Sequence, residues 1–190
     1  MVRCAAWQVT AGRRITGVNS RRMRVMGIDC GGECTGYGVV EQDGNGELRQ
    51  IACGAIHLDT RKPLPLRLNE IFNELRSIIG NRCPDAVAIE DVFHAVNAKS
   101  ALKLGQVRGV AMLAAASCGV EVAEYAPLTI KSAVVGYGKA DKRQVQLMVT
   151  RLLHLEEPPE PQDASDALAI AICHLHTSAT LRRQAAGKRV

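Results

Sequence analysis

The chain has 190 residues, 47% of them hydrophobic but only 3% aromatic, which suits one globular domain with a core of Ala, Val, Ile and Leu. No uncharged run approaches the roughly 18 residues of a membrane span, so a membrane-embedded role is excluded. The net charge of +5 is not a general nucleic-acid signal, because six arginines lie within residues 1–28 and four basic residues within 181–190, leaving 29–180 with 14 basic and 19 acidic side chains.

In chain order, residues 1–22 are Arg-rich, lack acids and show no hydrophobic periodicity. They read as a basic extension outside the core, resembling either an organellar transit peptide or the product of a start codon placed too far upstream. Strands are expected at 24–29, 35–41 and 48–58, with Asp43-Gly44-Asn45-Gly46 as the turn between the last two. A helix at 64–80 and a strand at 86–90 follow. Residues 100–118 form a helix that carries Gly105, Gly109 and several alanines, so a central, buried helix is expected, packed closely on the sheet or on a second subunit. A strand at 120–125 leads to helices at 127–135, 141–154 and 163–177. Pro127 suits a helix's first turn, and Pro158, Pro159 and Pro161 enforce a break before the last helix. Residues 178–190 read as a basic, flexible tail. Three strands followed by alternating helices and strands imply an α/β fold, a mixed five-stranded sheet flanked by helices over residues 23–177.

Seven cysteines form an odd set without a Cys-x-x-Cys pair, which favours free thiols in a reducing cytoplasm over a zinc site. Local charge is more informative. Between Lys99 and Arg151, eight basic residues face three acids, a balance that suits phosphate contact or an ordinary solvated surface.

The chemistry rests on four acids placed where acids are costly. Asp29 ends the apolar run Val25-Met26-Gly27-Ile28, Glu90 ends Ala86-Val87-Ala88-Ile89, and Asp163 and Asp166 open the apolar segment that follows them. Buried carboxylates need cations or lose their charge. If the two strands are neighbours and the last helix docks on the same edge, four oxygen donors surround one or two Mg2+ ions, a set suited to phosphodiester hydrolysis. Taken singly, Asp163-x-x-Asp166 also reads as a helix cap, Asp29 before Gly31-Gly32 as turn chemistry, and Glu90 as an exposed strand end.

These residues resemble the RuvC-type Holliday junction resolvases of the RNase H-like superfamily. The resemblance runs from about Met23 to His176 through Gly27-Ile28-Asp29-x-Gly31, Thr35-Gly36-Tyr37-Gly38, Ala88-Ile89-Glu90-Asp91-Val92-Phe93, the string Ser100 to Gly109, Lys131 to Gly138, and Gln162 to Ala171. It implies an RNase H-like sheet in a bacterial, cytoplasmic homodimer. It also implies binding of four-way DNA junctions, paired nicks leaving 5′-phosphate and 3′-hydroxyl ends, and cooperation with a RuvA and RuvB branch-migration complex. Asp29, Glu90, Asp163 and Asp166 match the family's acids for Mg2+ or Mn2+, and Phe93 matches an aromatic that stacks on a base at the opened junction. Lys131 and Lys142 match basic residues tied to DNA contact and catalysis. Lys99, Lys103, Arg108 and Arg143 are further candidates for phosphate contact.

Two departures from the family pattern stand out. Cys30 replaces the usual proline, giving a less rigid turn and an expected oxidation-sensitive thiol beside the metal site. Asp91 replaces a usual glutamine, and its side chain is expected to face away from Glu90. His174 and His176 read as structural. The rival readings are a sugar-kinase or actin-type ATPase, a related nuclease acting on pre-ribosomal RNA, and a non-catalytic junction-binding protein.

Overall fold

The computed structural model describes residues 22–91 and 98–187, with side chains to residue 180. Residues 1–21, 188–190 and the segment 92–97 with Phe93 lie outside the described residues.

Five strands form one sheet in the order β3-β2-β1-β4-β5: β1 Met23–Asp29, β2 Cys34–Gln42, β3 Leu48–His57, β4 Ala86–Glu90 and β5 Glu121–Tyr125. The first three form an antiparallel meander, while β4 pairs parallel to β1 and β5 parallel to β4. The meander turn is held by Asp43, whose Oδ1 accepts from Asn45 N and Glu47 N at 2.8 and 2.9 Å. Parallel pairing demands crossovers, which α1 Leu64–Arg82 and α2 Ala98–Ser117 supply.

Alternation along the strands builds two cores. Met26, Ile28, Val39, Val87 and Ile89 face α1 and α2, with Ile71, Leu75, Val107 and Ala111 beneath them. Val25, Val40 and Ala88 face the other way, onto α3 Pro127–Val135, α4 Lys142–Leu152 and α5 Gln162–Gly187. Gly27 lies under α5, where a β-carbon would stand 2.0 Å from the Ala167 carbonyl oxygen, so the strand permits direct backbone approach of the helix.

Two expectations are corrected. The 98–117 helix is not central: it buries Val107, Ala111, Ala114 and Ala115, while Leu102 and Leu113 are exposed on the opposite face and Gly105 and Gly109 border open space. Its glycines therefore do not pack on the sheet. The last helix does not stop at 177 but continues to Gly187, because Ala, Leu, Arg and Gln favour helix and no breaker intervenes. Ser178, expected in the tail, donates to Leu175 O and contacts Met23 Sδ at 3.7 Å.

Candidate active site

The register of two strands brings the first two acids together. Ile28 is paired with Ile89 in the parallel β1 and β4 ladder, so Asp29 and Glu90 occupy adjacent strand ends on the α5 side. Asp29 also pairs with Gly36 of β2, and a β-carbon on Gly36 would stand 2.1 Å from the Asp163 carbonyl oxygen. That contact seats the first turn of α5 directly over the strand end. Asp163 and Asp166, three residues apart on that turn, complete the set.

A cleft of about 160 Å³ opens here, lined by Asp29, Glu90, Asp166, Lys131 and Lys142 together with apolar residues of α3, α4 and α5. Pro127 starts α3, and Lys131 follows one turn later. Lys142 opens α4 behind a capping box, in which Asp141 Oδ1 accepts from Gln144 N at 2.8 Å and Gln144 Oε1 accepts from Asp141 N at 2.9 Å. A cation at this end opposes the helix dipole. Asp166 offsets that cost, its Oδ2 lying 3.2 Å from Lys142 Nζ.

Asp29 is pushed up to about 7 from 3.8, first by burial and then by the negative charges of Asp166, Glu90 and Asp163, against which Lys142 pulls down. Burial and Asp166 also raise Glu90, opposed by Lys142 and Lys131. Lys142 is raised by Asp166.

As oriented, no three Asp, Glu, His or Cys side chains among the described residues form a metal-holding group. The donor chemistry nevertheless fits a hard divalent cation. All four carboxylates are oxygen donors, and at Asp29 and Glu90 burial and neighbouring negative charge disfavour ionisation, a cost that a shared cation removes.

The other sequence candidates divide. Lys99 and Lys103, on the first turns of α2, and Arg143, beside Lys142, are exposed but do not line the cleft. Arg108 is not a free cation: it is ion-paired to Asp91 Oδ1 at 3.1 Å and to Glu124, and its side chain is only 19% exposed. Asp91 does face away from Glu90, as alternation requires. His174 Nδ1 bonds Tyr125 Oη, and His176 Nδ1 bonds the Ala133 carbonyl, each at 2.9 Å.

The thiol that hydrogen-bonds one of the acids is not Cys30. Cys30 packs into the α1 and α2 core, whereas Cys34 hydrogen-bonds Asp163 and is pushed up to about 12 by burial and that bond. Sequence reasoning missed Cys34, although it lies two residues before Gly36 and so shares its face of β2.

The RuvC model, described as crossover junction endodeoxyribonuclease RuvC, matches residues 25–174. The crossover junction endodeoxyribonuclease RuvC of Koribacter versatilis strain Ellin345 is 68% identical over 161 residues, covering 85% of this chain and 97% of that protein. Thermus thermophilus RuvC superposes with a TM-score of 0.78 at 34% identity, covering 83% of this chain and 96% of the other. The T. thermophilus RuvC structure in complex with a Holliday junction substrate gives a TM-score of 0.77 at 32% identity, with the same coverages. The fold and the acid-lined cleft place the chain among RNase H-like nucleases. Within that class it belongs to the RuvC family of crossover junction endodeoxyribonucleases. This membership favours the resolvase over the ATPase and pre-ribosomal RNA nuclease readings.

Proposed function

We propose that this chain resolves four-way DNA junctions by hydrolysing one phosphodiester on each of two symmetry-related strands. The observation that carries the reading is the convergence of Asp29, Glu90 and Asp166 with Lys131 and Lys142 on one cleft, and the seating of Asp163 over Gly36 beside it. Asp29, Glu90, Asp163 and Asp166 would hold two Mg2+ ions per site, with Mn2+ as a substitute. When bound, such ions lower the pKa of water and stabilise the leaving oxygen of a phosphodiester.

The chain's own residues supply the rest. Water oxygen joins phosphorus as the bond to the 3′ oxygen breaks, leaving a 5′-phosphate and a 3′-hydroxyl. Lys142, tied to Asp166, and Lys131 across the cleft place positive charge where the phosphorane's negative charge develops. The exposed Lys99, Lys103 and Arg143 extend the basic surface that follows the backbone. Phe93, outside the described residues, follows Asp91 and would stack on a base at the opened junction.

Paired nicks require two sites, and α2 offers a surface for a second copy. Ala98, Leu102, Gly105, Gly109, Leu113 and Ala116 recur at helical spacing on its outward face, and both leucines are more than half exposed. A homodimer joined there would act with RuvA and RuvB branch-migration proteins in the bacterial cytoplasm.

The test is a synthetic mobile four-way junction incubated with the protein and Mg2+, beside a linear duplex and an EDTA control. Symmetric nicks in the junction alone, sealed by ligase, are expected. Cutting the duplex equally well would overturn the reading. Leu113→Glu should shift the protein toward monomer in analytical ultracentrifugation and abolish paired nicking.

A further inference from the structure

Arg108 lies on the face of the sheet that α1 and α2 cover, away from the cleft, yet close to its strand ends. Asp91 follows Glu90, and its amide donates to the Tyr125 carbonyl at 2.8 Å, which extends the β4 and β5 pairing one residue past Glu90. Ile89 pairs with Glu124, so Asp91 and Glu124 both face α2, whereas Glu90 and Tyr125 face α5. Arg108 of α2 reaches both acids, 3.1 Å from Asp91 Oδ1 and in contact with Glu124 Oε2. Its Nε is buried with no hydrogen-bond partner among the described residues.

Both contacts are made by one nitrogen, Nη2, of a partly buried guanidinium, so removing Arg108 would leave two acids unpaired. The arrangement therefore fastens three elements at one point: the end of β4, the end of β5 and the middle of α2. It also bridges the two sides of the 92–97 segment, since Asp91 precedes that segment and α2 begins directly after it.

We propose that Arg108 is a positioning residue, whose ion pairs with Asp91 and Glu124 fix the Glu90 strand end for metal binding and for cleavage. The inference rests on the resolvase reading and differs from a phosphate-contact role for the same arginine. Arg108 is spent on the protein's own acids, and it acts on the reaction through the backbone of Asp91 and Glu90.

The experiment compares wild type with Arg108→Ala, Arg108→Lys and Asp91→Ala. Wild type must nick the junction, and failure there would sink the resolvase reading rather than this one. Junction affinity is measured in EDTA at several salt concentrations, nicking is titrated with Mg2+, and melting temperature is read with and without Mn2+ in the absence of DNA. With Arg108→Ala, nicking should fall about 10- to 100-fold, the effect of a small misplacement of a reacting group. The Mg2+ half-saturation should rise and the Mn2+-induced gain in melting temperature should shrink, while the salt slope of binding stays at the wild-type value. Asp91→Ala, which cannot remove a phosphate contact, should move the same quantities in the same direction. Arg108→Lys keeps the charge on a compact ammonium of different reach and should fall between.

Two results overturn the proposal. One is weaker binding of junction and duplex alike with the salt slope reduced by about one, the signature of a lost phosphate contact. The other is a lower melting temperature with unchanged Mg2+ half-saturation in both Arg108→Ala and Asp91→Ala, which leaves only a stabilising role. If Arg108→Ala does not fold, Arg108→Lys and Asp91→Ala decide by the same readouts.

Discussion

Gly36 and Asp163 meet backbone to backbone: a β-carbon on residue 36 would sit 2.1 Å from the Asp163 carbonyl oxygen and 2.9 Å from its β-carbon. Neither neighbour can yield cheaply, because the helix is also seated on Gly27, against the Ala167 carbonyl. Gly36→Ala should therefore lift the start of α5. The expected cost is about 1–3 kcal/mol of stability, typical of overpacking. Nicking should fall about 100-fold beyond any loss of folded protein, because Asp163 and Asp166 move together. Gly80→Ala is the control, since its site in α1 is open and alanine favours helix by about 0.8–1 kcal/mol. Equal nicking by Gly36→Ala and wild type at a temperature where both are folded would refute the positioning argument.

The acid cluster also sets how stability changes with pH. Asp29 titrates at about 7 in the folded chain against an ordinary value of 3.8. Between those values the folded state holds a proton that the unfolded state has released, so stability falls as the pH rises. The contribution is complete below the unfolded value and is lost through the folded one. Glu90 shifts in the same direction. In EDTA, the urea midpoint should drop between about pH 4 and pH 7, by the equivalent of about 2–4 kcal/mol. Asp29→Asn should flatten that slope and raise stability at the upper end while abolishing nicking. Mg2+ favours the ionised acids and should weaken the slope in wild type. A midpoint that rises with pH in EDTA would contradict the raised Asp29.

Lys142 faces the acids from α4 and holds both Asp29 and Glu90 below where burial and repulsion would put them. Lys142→Met removes that charge, so both carboxyls should ionise at higher pH. The nicking rate should fall about 100-fold, as for other electrostatic donors to a developing charge. Its rising limb against pH should also move to higher pH. Lys142→Arg should restore the limb better than the rate. A low rate with an unmoved limb would restrict Lys142 to substrate contact.

Much of this architecture is legible in the sequence, for identifiable reasons. The end of each acid-bearing strand shows as a charge terminating an apolar run, and Pro127 and the prolines before Gln162 mark helix starts that the structure keeps. The adjacency of Asp29 and Glu90 depends on register, a long-range property that local pattern only permits; the Ile28 and Ile89 pairing supplies it. Arg108 misleads because a basic residue in a basic segment looks like a phosphate contact, and its acids lie 17 residues before and 16 after it in sequence. The glycines of α2 mislead in another way. They imply close packing without naming a partner, and among the described residues they meet none.

Cys30 tests the difference between nearness in sequence and nearness in space. It follows Asp29 directly, yet alternation turns its side chain into the core formed with α1 and α2, where it is 9% exposed. Burial, reinforced by the charge of Asp29, pushes its thiol up to about 12. Peroxide attacks the thiolate of an accessible cysteine, and Cys30 offers neither the ionised form nor the access. The oxidation sensitivity expected from its position therefore should not arise at this residue. Peroxide treatment should slow wild type and Cys30→Ser by the same factor, each measured against its own untreated rate. Among the described cysteines Cys83, at the end of α1, is exposed, so a sulfenic-acid probe read by mass spectrometry should label it ahead of Cys30 and Cys173. Selective protection of activity by Cys30→Ser, with the label on Cys30 in wild type, would show that the turn after Asp29 opens far enough to expose the thiol.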